Sequence, residues 1–320
     1  MYRSIGLLLC AAALFLGGEV QAQSAYPIRP VRFIVPFPPG PAEVFARLYA
    51  QKLQEQLGQP FLVETRPGAT GTVGTQAVAR AAPDGYTLLA SVDLPIVKAP
   101  ALLKLTYDPA TDLIPIAIVA EDFNVLAVHP SVGAKTLPAL VSAAKARPGA
   151  LNFSSAGNGS PGHMCGEMIK QAGGIDMTHV PYNGAGPSVT ALLSGEVQVF
   201  CGPPGVLLQH IAAGSIVAAA VTGDKPSSLL PGIPPIAETW PGVTISNWYG
   251  FFAPAGTPDA IVELLRRELR KGFDDAGVQQ RLAGIGIEPR WLDTAASTAR
   301  IRADLAKWGK VVRDANIKAD

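Results

Sequence analysis

The sequence predicts an α/β fold in two lobes, and three observations carry that reading. The chain has 320 residues, more than the roughly 250 at which single hydrophobic cores stop growing. Strand and helix signals alternate along it, which implies lobes each built on a mostly parallel sheet flanked by helices. Loops rich in Gly, Pro and Ser stand where strands end and helices begin, the place where such sheets hold ligands.

In chain order, Val31, Phe33, Val35 and Phe37 alternate on one face, predicting a strand over 31–37 that Pro38-Pro39-Gly40-Pro41 ends. A helix over 42–57 follows. It has Val44, Phe45, Leu48, Tyr49, Leu53 and Leu57 on one stripe, Arg47, Gln51, Gln54 and Glu55 opposite, and Gly58 as its stop. Further strands are predicted over 61–64, 86–91, 116–119, 125–128, 152–155, 197–200 and 217–221, and helices over 73–81, 163–171 and 187–193. Thr257-Pro258 reads as a helix start with Thr as cap, followed by a stripe of Ile261, Leu264, Leu265, Leu269 and Phe273. A last helix over 294–314 carries Ile301, Leu305, Trp308, Val311 and Val312. No linker or low-complexity stretch separates two halves, so the lobes are inferred to interleave through a hinge.

Composition narrows the partners. Charged residues are 16% of the chain and the net charge is +1, without any basic or acidic run. Nucleic acid is therefore excluded as a partner, since phosphate binding needs clustered Lys and Arg. Residues 1–22 read as a secretory signal peptide. Arg3 precedes the uncharged run 5–18, and Val20-Gln21-Ala22 offers a small-x-small cleavage site near Ala22. That run is shorter than the ~17–25 residues needed to span a bilayer. Leu9 before Cys10 argues against a lipoprotein signal. Cys165 and Cys201 remain after cleavage, and from the residues alone a bridge and two separate buried thiols stay open alternatives.

Catalytic signatures are missing. There is no His-Glu-x-x-His, Cys-x-x-Cys, Gly-Lys-Ser/Thr or Gly-x-Ser-x-Gly, and the four histidines are scattered. The reading calls for no cofactor and no metal. Gly157-Asn158-Gly159-Ser160-Pro161-Gly162 matches Gly-x-Gly-x-x-Gly, with Asp176 near the spacing of a ribose-binding acid. A secreted protein has little access to dinucleotides, and Pro161 interrupts the loop. The same residues suit an anion better. A helix start presents unpaired N–H groups and partial positive charge, and glycines let an anion approach them. Ser154, Ser155, Asn158 and Ser160 add donors. Phe37, Pro39 and Gly40 form the matching candidate on the other lobe, with Ser91 at a third strand end. Tyr182 is either an aromatic wall or ordinary half-buried packing.

Six stretches then resemble one family. They are Tyr26-Pro27-x-Arg29-Pro30-Val31-Arg32-Phe33-Ile34-Val35-Pro36-Phe37-Pro38-Pro39-Gly40, Val63-Glu64-x-Arg66-Pro67-Gly68-Ala69-x-Gly71 and Pro83-Asp84-Gly85-Tyr86-Thr87-Leu88-Leu89. Further on come Ser155-x-Gly157-x-Gly159-Ser160-x-x-His163, His179-Val180-Pro181-Tyr182-x-Gly184 and Trp248-Tyr249-Gly250-x-Phe252-Ala253-Pro254-Ala255-Gly256-Thr257-Pro258. Together, in order, they resemble the Bug family, the extracytoplasmic solute receptors of tripartite tricarboxylate transporters. The resemblance implies a type II periplasmic-binding-protein fold with a ligand cleft between lobes. Lobe 1 would comprise 23–124 and 248–320, and lobe 2 would comprise 125–247. It implies a carboxylate held by Phe37, Pro39, Gly40, Ser91, Ser154, Ser155, Asn158, Gly159, Ser160, Tyr182, Asn183, Gly184 and Gly202. It also implies a periplasmic monomer serving membrane permease subunits, and it favours a Cys165–Cys201 bridge.

Three departures stand out. Gly40-Pro41-Ala42-Glu43 lacks one family glycine and has Glu for Asp. Asn183 replaces a frequent Lys. Gly202 stands where Asp is common, which points away from amino-acid ligands. The competing reading is a secreted α/β hydrolase acting on a carboxylate ester, with Ser160 and His163 as the tempting pair.

Overall fold

The computed structural model describes residues 26–317, so the signal-peptide reading lies outside the described residues. The chain runs β1 (Val31–Val35), α1 (Pro41–Leu57), β2 (Phe61–Thr65), α2 (Thr72–Ala79) and β3 (Thr87–Val92). A π-helical turn at Leu94–Lys98 leads into α3 (Ala99–Leu102), then β4 (Leu113–Phe123) and β5 (Val125–Val128). Next come α4 (Leu137–Ala146), β6 (Asn152–Ser155), α5 (Pro161–Gly173), β7 (Thr178–Pro181), α6 (Ala185–Ser194) and β8 (Val199–Gly202). The rest is α7 (Leu208–Ala212), β9 (Val217–Val221), α8 (Ile236–Thr239), β10 (Ser246–Pro254), α9 (Asp259–Phe273), α10 (Ala276–Ala283), β11 (Glu288–Leu292) and α11 (Thr294–Asp314).

Two sheets result. The first has order β11-β4-β10-β3-β1-β2 and the second β7-β6-β8-β5-β9. The expected parallel pairing holds for β2-β1-β3 and for β7-β6-β8. Pairings of β10 with β3 and β4, of β11 with β4, and of β5 with β8 and β9 are antiparallel, so each sheet is mixed. The reason is connectivity. β4 leaves the first sheet toward the second and β10 returns from it, and neighbours that leave and return must run in opposite directions. Only Asn124 separates β4 from β5.

One residue holds both passages. Thr222, fully buried just beyond β9, accepts at Oγ1 from the Asn124 N–H (2.8 Å) and donates to Ile245 O (2.5 Å). Its own N–H donates to Asn124 O (2.9 Å), and its carbonyl accepts from the Ile245 N–H (2.8 Å).

Most helices pack as expected. On α1 the buried face is Ala42, Phe45, Ala46, Leu48, Tyr49, Ala50 and Leu53. Val44, expected on that stripe, is 41% exposed, because the buried arc is centred on Phe45 and Tyr49. Phe45 stacks on Phe251 of β10 at 4.9 Å. The helix α11 has the expected limits and buries Ile301, Trp308, Val311 and Val312. Asp293 caps it by accepting from the Ala296 N–H (2.9 Å). The expected cap at Thr257 is corrected. Its hydroxyl donates back to Pro254 O (2.8 Å), and Pro258 is the residue that precedes the helix.

One hydrophobic cluster contains residues of both sheets, among them Ile34, Leu89, Ile118 and Trp248 of the first and Leu126, Phe153 and Val199 of the second. Beside it a polar chain ties β3, β4 and β10 together. Asp93 and Lys98, with side chains only 2% and 1% exposed, pair at 2.8 Å. Lys98 Nζ donates to Asn247 Oδ1, Asn247 donates to Asp122 Oδ1, and Tyr249 OH donates to Asp122 Oδ2 at 2.9 Å. Burial pushes the Asp122 carboxyl up to about 6, against the opposing pull of the bonds from Asn247 and Tyr249.

Candidate ligand-binding crevice

The strand-to-helix turn after β6 is built as a capped helix start, whose N–H groups at Gly157, Gly159 and Ser160 find acceptors within the turn. Ser160 caps α5, its Oγ accepting from the His163 N–H at 3.3 Å, and Pro161 occupies the first helical position where no N–H is needed. Gly157 and Gly159 have φ of 126° and 69°, values that disfavour any residue with a Cβ. Gly162 brings α5 against β8. A Cβ there would lie 2.7 Å from Cys201 O. The Cys165–Cys201 disulfide closes the same contact, with Cα atoms 6.2 Å apart.

Behind the turn sits a histidine stack. The rings of His163 and His179 lie 3.8 Å apart with planes 6° apart, and Phe153 stacks under His179 at 4.8 Å. Burial, with the neighbouring His163 and Lys170 acting in the same direction, lowers the His179 pKa to about 4. A neutral His179 thus meets Ser155 Oγ at 2.7 Å, and the Gly157 N–H donates to the same oxygen at 3.2 Å. The Gly159 N–H donates to His163 Nδ1 at 3.1 Å. The Ser160 hydroxyl is thus used as a helix cap on the His163 backbone, and the His163 ring as an acceptor that shapes the turn.

A crevice of about 250 Å³ opens over this turn, lined by Asn158, Gly159, Ser160 and Pro161 on one side and Thr70, Leu94, Leu102 and Leu103 on the other. The first group follows the second sheet and the second group follows the first sheet. Leu102 Cδ1 lies 3.4 Å from where a Gly159 side chain would begin. No Lys, Arg or His lines the crevice. Ala69 and Thr70 hold left-handed backbone, with φ of 45° and 54°, an arrangement that costs ~1–3 kcal/mol per residue and clusters at functional sites.

The expected site residues divide into three groups. Asn158, Gly159 and Ser160 line the crevice. Ser91, Ser154 and Ser155 are fully buried, and their hydroxyls bond to Val92 O, to Ser188 O and within the Gly157 turn. They shape the cradle from behind. Phe37 also stands one layer back, its ring 3.0 Å from a Cβ built on Gly71, a position that Pro95 also approaches. Pro39 is exposed and Gly40 precedes α1. Glu43, which replaces the family Asp, is engaged by Arg47 Nε at 2.8 Å.

Tyr182 is half-buried, with its hydroxyl donating to Glu196 at 2.8 Å. Asn183 is exposed, and Gly184 precedes α6 at φ 108°. Gly202 is buried. A side chain there would meet the Phe200 ring at 2.2 Å, so Phe200 occupies the room an Asp would need.

Sequence reasoning missed Thr70, Leu94, Leu102 and Leu103. Leu94 follows closely on the predicted strand that ends at Ser91, and Thr70 lies inside a stretch that carries the resemblance. A separate recess of about 350 Å³ on the outside holds Arg29, Arg32 and Arg66. Its guanidiniums are met by carboxylates, Arg29 by Asp84 at 3.0 Å and Arg66 by Glu64 at 2.7 Å.

Two mixed sheets flanked by helices, with a crevice between the ends of their strands, define a periplasmic binding protein. The comparisons place it more closely. The family described as the tripartite tricarboxylate transporter family receptor matches residues 45–317. Protein BugT of Bordetella pertussis is 34% identical over 318 residues, covering 98% of this chain and 97% of its own. Among solved structures, an R. palustris protein with adipate is 32% identical at a TM-score of 0.74, covering 92% of this chain and 99% of its own. MatC from Rhodopseudomonas palustris with bound malate is 30% identical at a TM-score of 0.70, covering 90% and 100%. The chain belongs to the tripartite tricarboxylate transporter receptor family and is a Bug-type solute receptor. Receptors of this family are periplasmic, and no helix among the described residues is long and apolar enough to cross a membrane.

Proposed function

We propose that the protein is a non-enzymatic receptor that captures a small carboxylate between two lobes and delivers it to membrane permease subunits. The lobes are 23–124 with 248–320 and 125–247, hinged at Asn124 and Ile245. The protein works as a periplasmic monomer after cleavage near Ala22. One observation carries this reading. At a capped helix start, Asn158, Gly159 and Ser160 line a crevice without cationic side chains. Such a start suits one carboxylate. The adipate and malate bound by related structures support the same ligand class.

Carboxylate binding would hold the lobes together and shift an open–closed equilibrium. The ester-hydrolase reading needs an accessible nucleophile within reach of a base. Ser160 serves as a helix cap, and Ser155, though 2.7 Å from His179 Nε2, is fully buried, so neither pair supports that reading. Calorimetry and thermal shift of the mature protein with a panel of carboxylates test the proposal. Saturable binding with a raised melting temperature and no ester turnover is expected. Turnover without stabilisation would favour the hydrolase, and uptake assays with the permease would separate delivery from sensing.

A further inference from the structure

We infer that Leu94, Leu102 and Leu103 form an apolar wall that makes this receptor prefer monocarboxylates with an alkyl or aryl body over hydroxylated or multiply charged acids. The inference rests on the receptor reading and adds the ligand's other end. The crevice has two chemically unlike sides. On one stand Asn158, Gly159 and Ser160 at the start of α5, a polar side that carries the Asn158 amide and the Ser160 hydroxyl. On the other stand three half-buried leucines, and Leu102 approaches Gly159 closely enough to narrow the space between the sides. Thr70, whose hydroxyl donates to Ala69 O at 2.6 Å, supplies the polar edge on that side.

A ligand whose carboxylate lies at the helix start must place the rest of itself against the leucines. A second carboxylate or a hydroxyl there would lose water and find no cation. A methylene or a ring edge would instead leave water for an apolar surface. Each methylene fully removed from water tightens binding about fourfold. A volume of about 250 Å³ falls below the ~300 Å³ at which drug-sized sites begin, which suits a body of a few carbons. The position of Gly202 agrees, because the Phe200 ring fills the space where an acidic side chain could meet a ligand ammonium.

Calorimetry on the mature protein with propionate, hexanoate, benzoate, adipate and malate tests the wall. Hexanoate should bind up to about sixtyfold more tightly than propionate, which is three methylenes shorter. It should also bind more tightly than adipate, its equal in length with a second charge. Leu102→Asn should weaken hexanoate and benzoate at least tenfold and leave malate within twofold. Leu103→Ser is the second variant, and circular dichroism and the melting temperature report folding for both. If malate or adipate binds more tightly than hexanoate, or if the leucine variants weaken all acids alike, the wall is overturned and the receptor reading stands. If no carboxylate binds the folded wild-type protein, the receptor reading itself fails and takes the wall with it.

Discussion

Thr222 is not part of the crevice lining, yet its hydroxyl and backbone meet both strands that pass between the sheets. Replacing it with Val keeps the shape and removes the acceptor for the buried Asn124 N–H. Thr222→Val should cost about 1–3 kcal/mol in denaturant unfolding, whereas Thr222→Ser should stay near wild type. An unchanged midpoint in the Thr222→Val variant would show that the hydroxyl carries no weight. The sequence marked this position only as the end of a strand. Its role depends on Asn124 and Ile245, which are distant in the chain.

Two half-buried titrating groups pull stability in opposite directions. The Asp122 pKa is raised to about 6 from an unfolded value near 3.9. Its stabilising share is full below the unfolded value and is lost as pH rises through 6. The His179 pKa is lowered to about 4 from near 6.5, so its share is present above 6.5 and is lost as pH falls through 4. Between pH 6.5 and 4 the two slopes oppose each other. Asp122→Asn should therefore leave a protein whose stability falls more steeply on acidification than the wild type's. Parallel pH profiles of the two proteins in urea would refute the opposition.

At the scale of elements, α5 concentrates the requirements of the site. Its cap, its glycines and its disulfide all hold the Asn158–Ser160 turn at the crevice. In the chain-entropy model a bridge across a separation of 36 residues stabilises by about 4 kcal/mol. Reduction should lower the unfolding midpoint accordingly, and carboxylate affinity should weaken because α5 is no longer tied to β8. Affinity unchanged after verified reduction would show that packing alone positions the helix start. Gly166 packs face on to Phe153, whose ring lies 2.2 Å from where a Cβ would be. Gly166→Ala should cost at least ~1–3 kcal/mol by overpacking, read as a lower melting temperature.

The helices were largely legible because their apolar stripes repeat within a few residues, as on α11. The strand β10 was not foreseen, because it is buried along nearly its whole length and shows no apolar alternation, and the strands β7 and β11 were not foreseen either. Both are edge strands of four and five residues with half-exposed side chains, so neither needs an apolar alternation.

Across the whole molecule, the two sheets are joined by more than the passing strands. Glu288 of β11 accepts from Ser227 Oγ at 2.8 Å and from the Ser228 N–H at 3.2 Å. Arg290 reaches Asp224 at 3.4 Å. These bonds link the first sheet to the loop after β9. Glu288→Ala should loosen the arrangement of the two sheets, giving a larger radius of gyration in solution scattering without ligand. A saturating carboxylate should restore the compact value. Identical scattering for variant and wild type would show that the strap does not restrain the lobes.

The residues by themselves determined the α/β class, the glycine-rich capped helix start at Asn158–Ser160 and the limits of the long helices, because caps, glycines and apolar periods act over one or two turns of chain. Tertiary structure alone decided the mixed direction of the sheets, the burial of Ser91, Ser154 and Ser155, and the leucines opposite the helix start. Those features depend on which distant segments meet. Leu102 and Gly159 are neighbours only because two sheets pack with their strand ends facing one crevice, and no local pattern in either segment encodes the other.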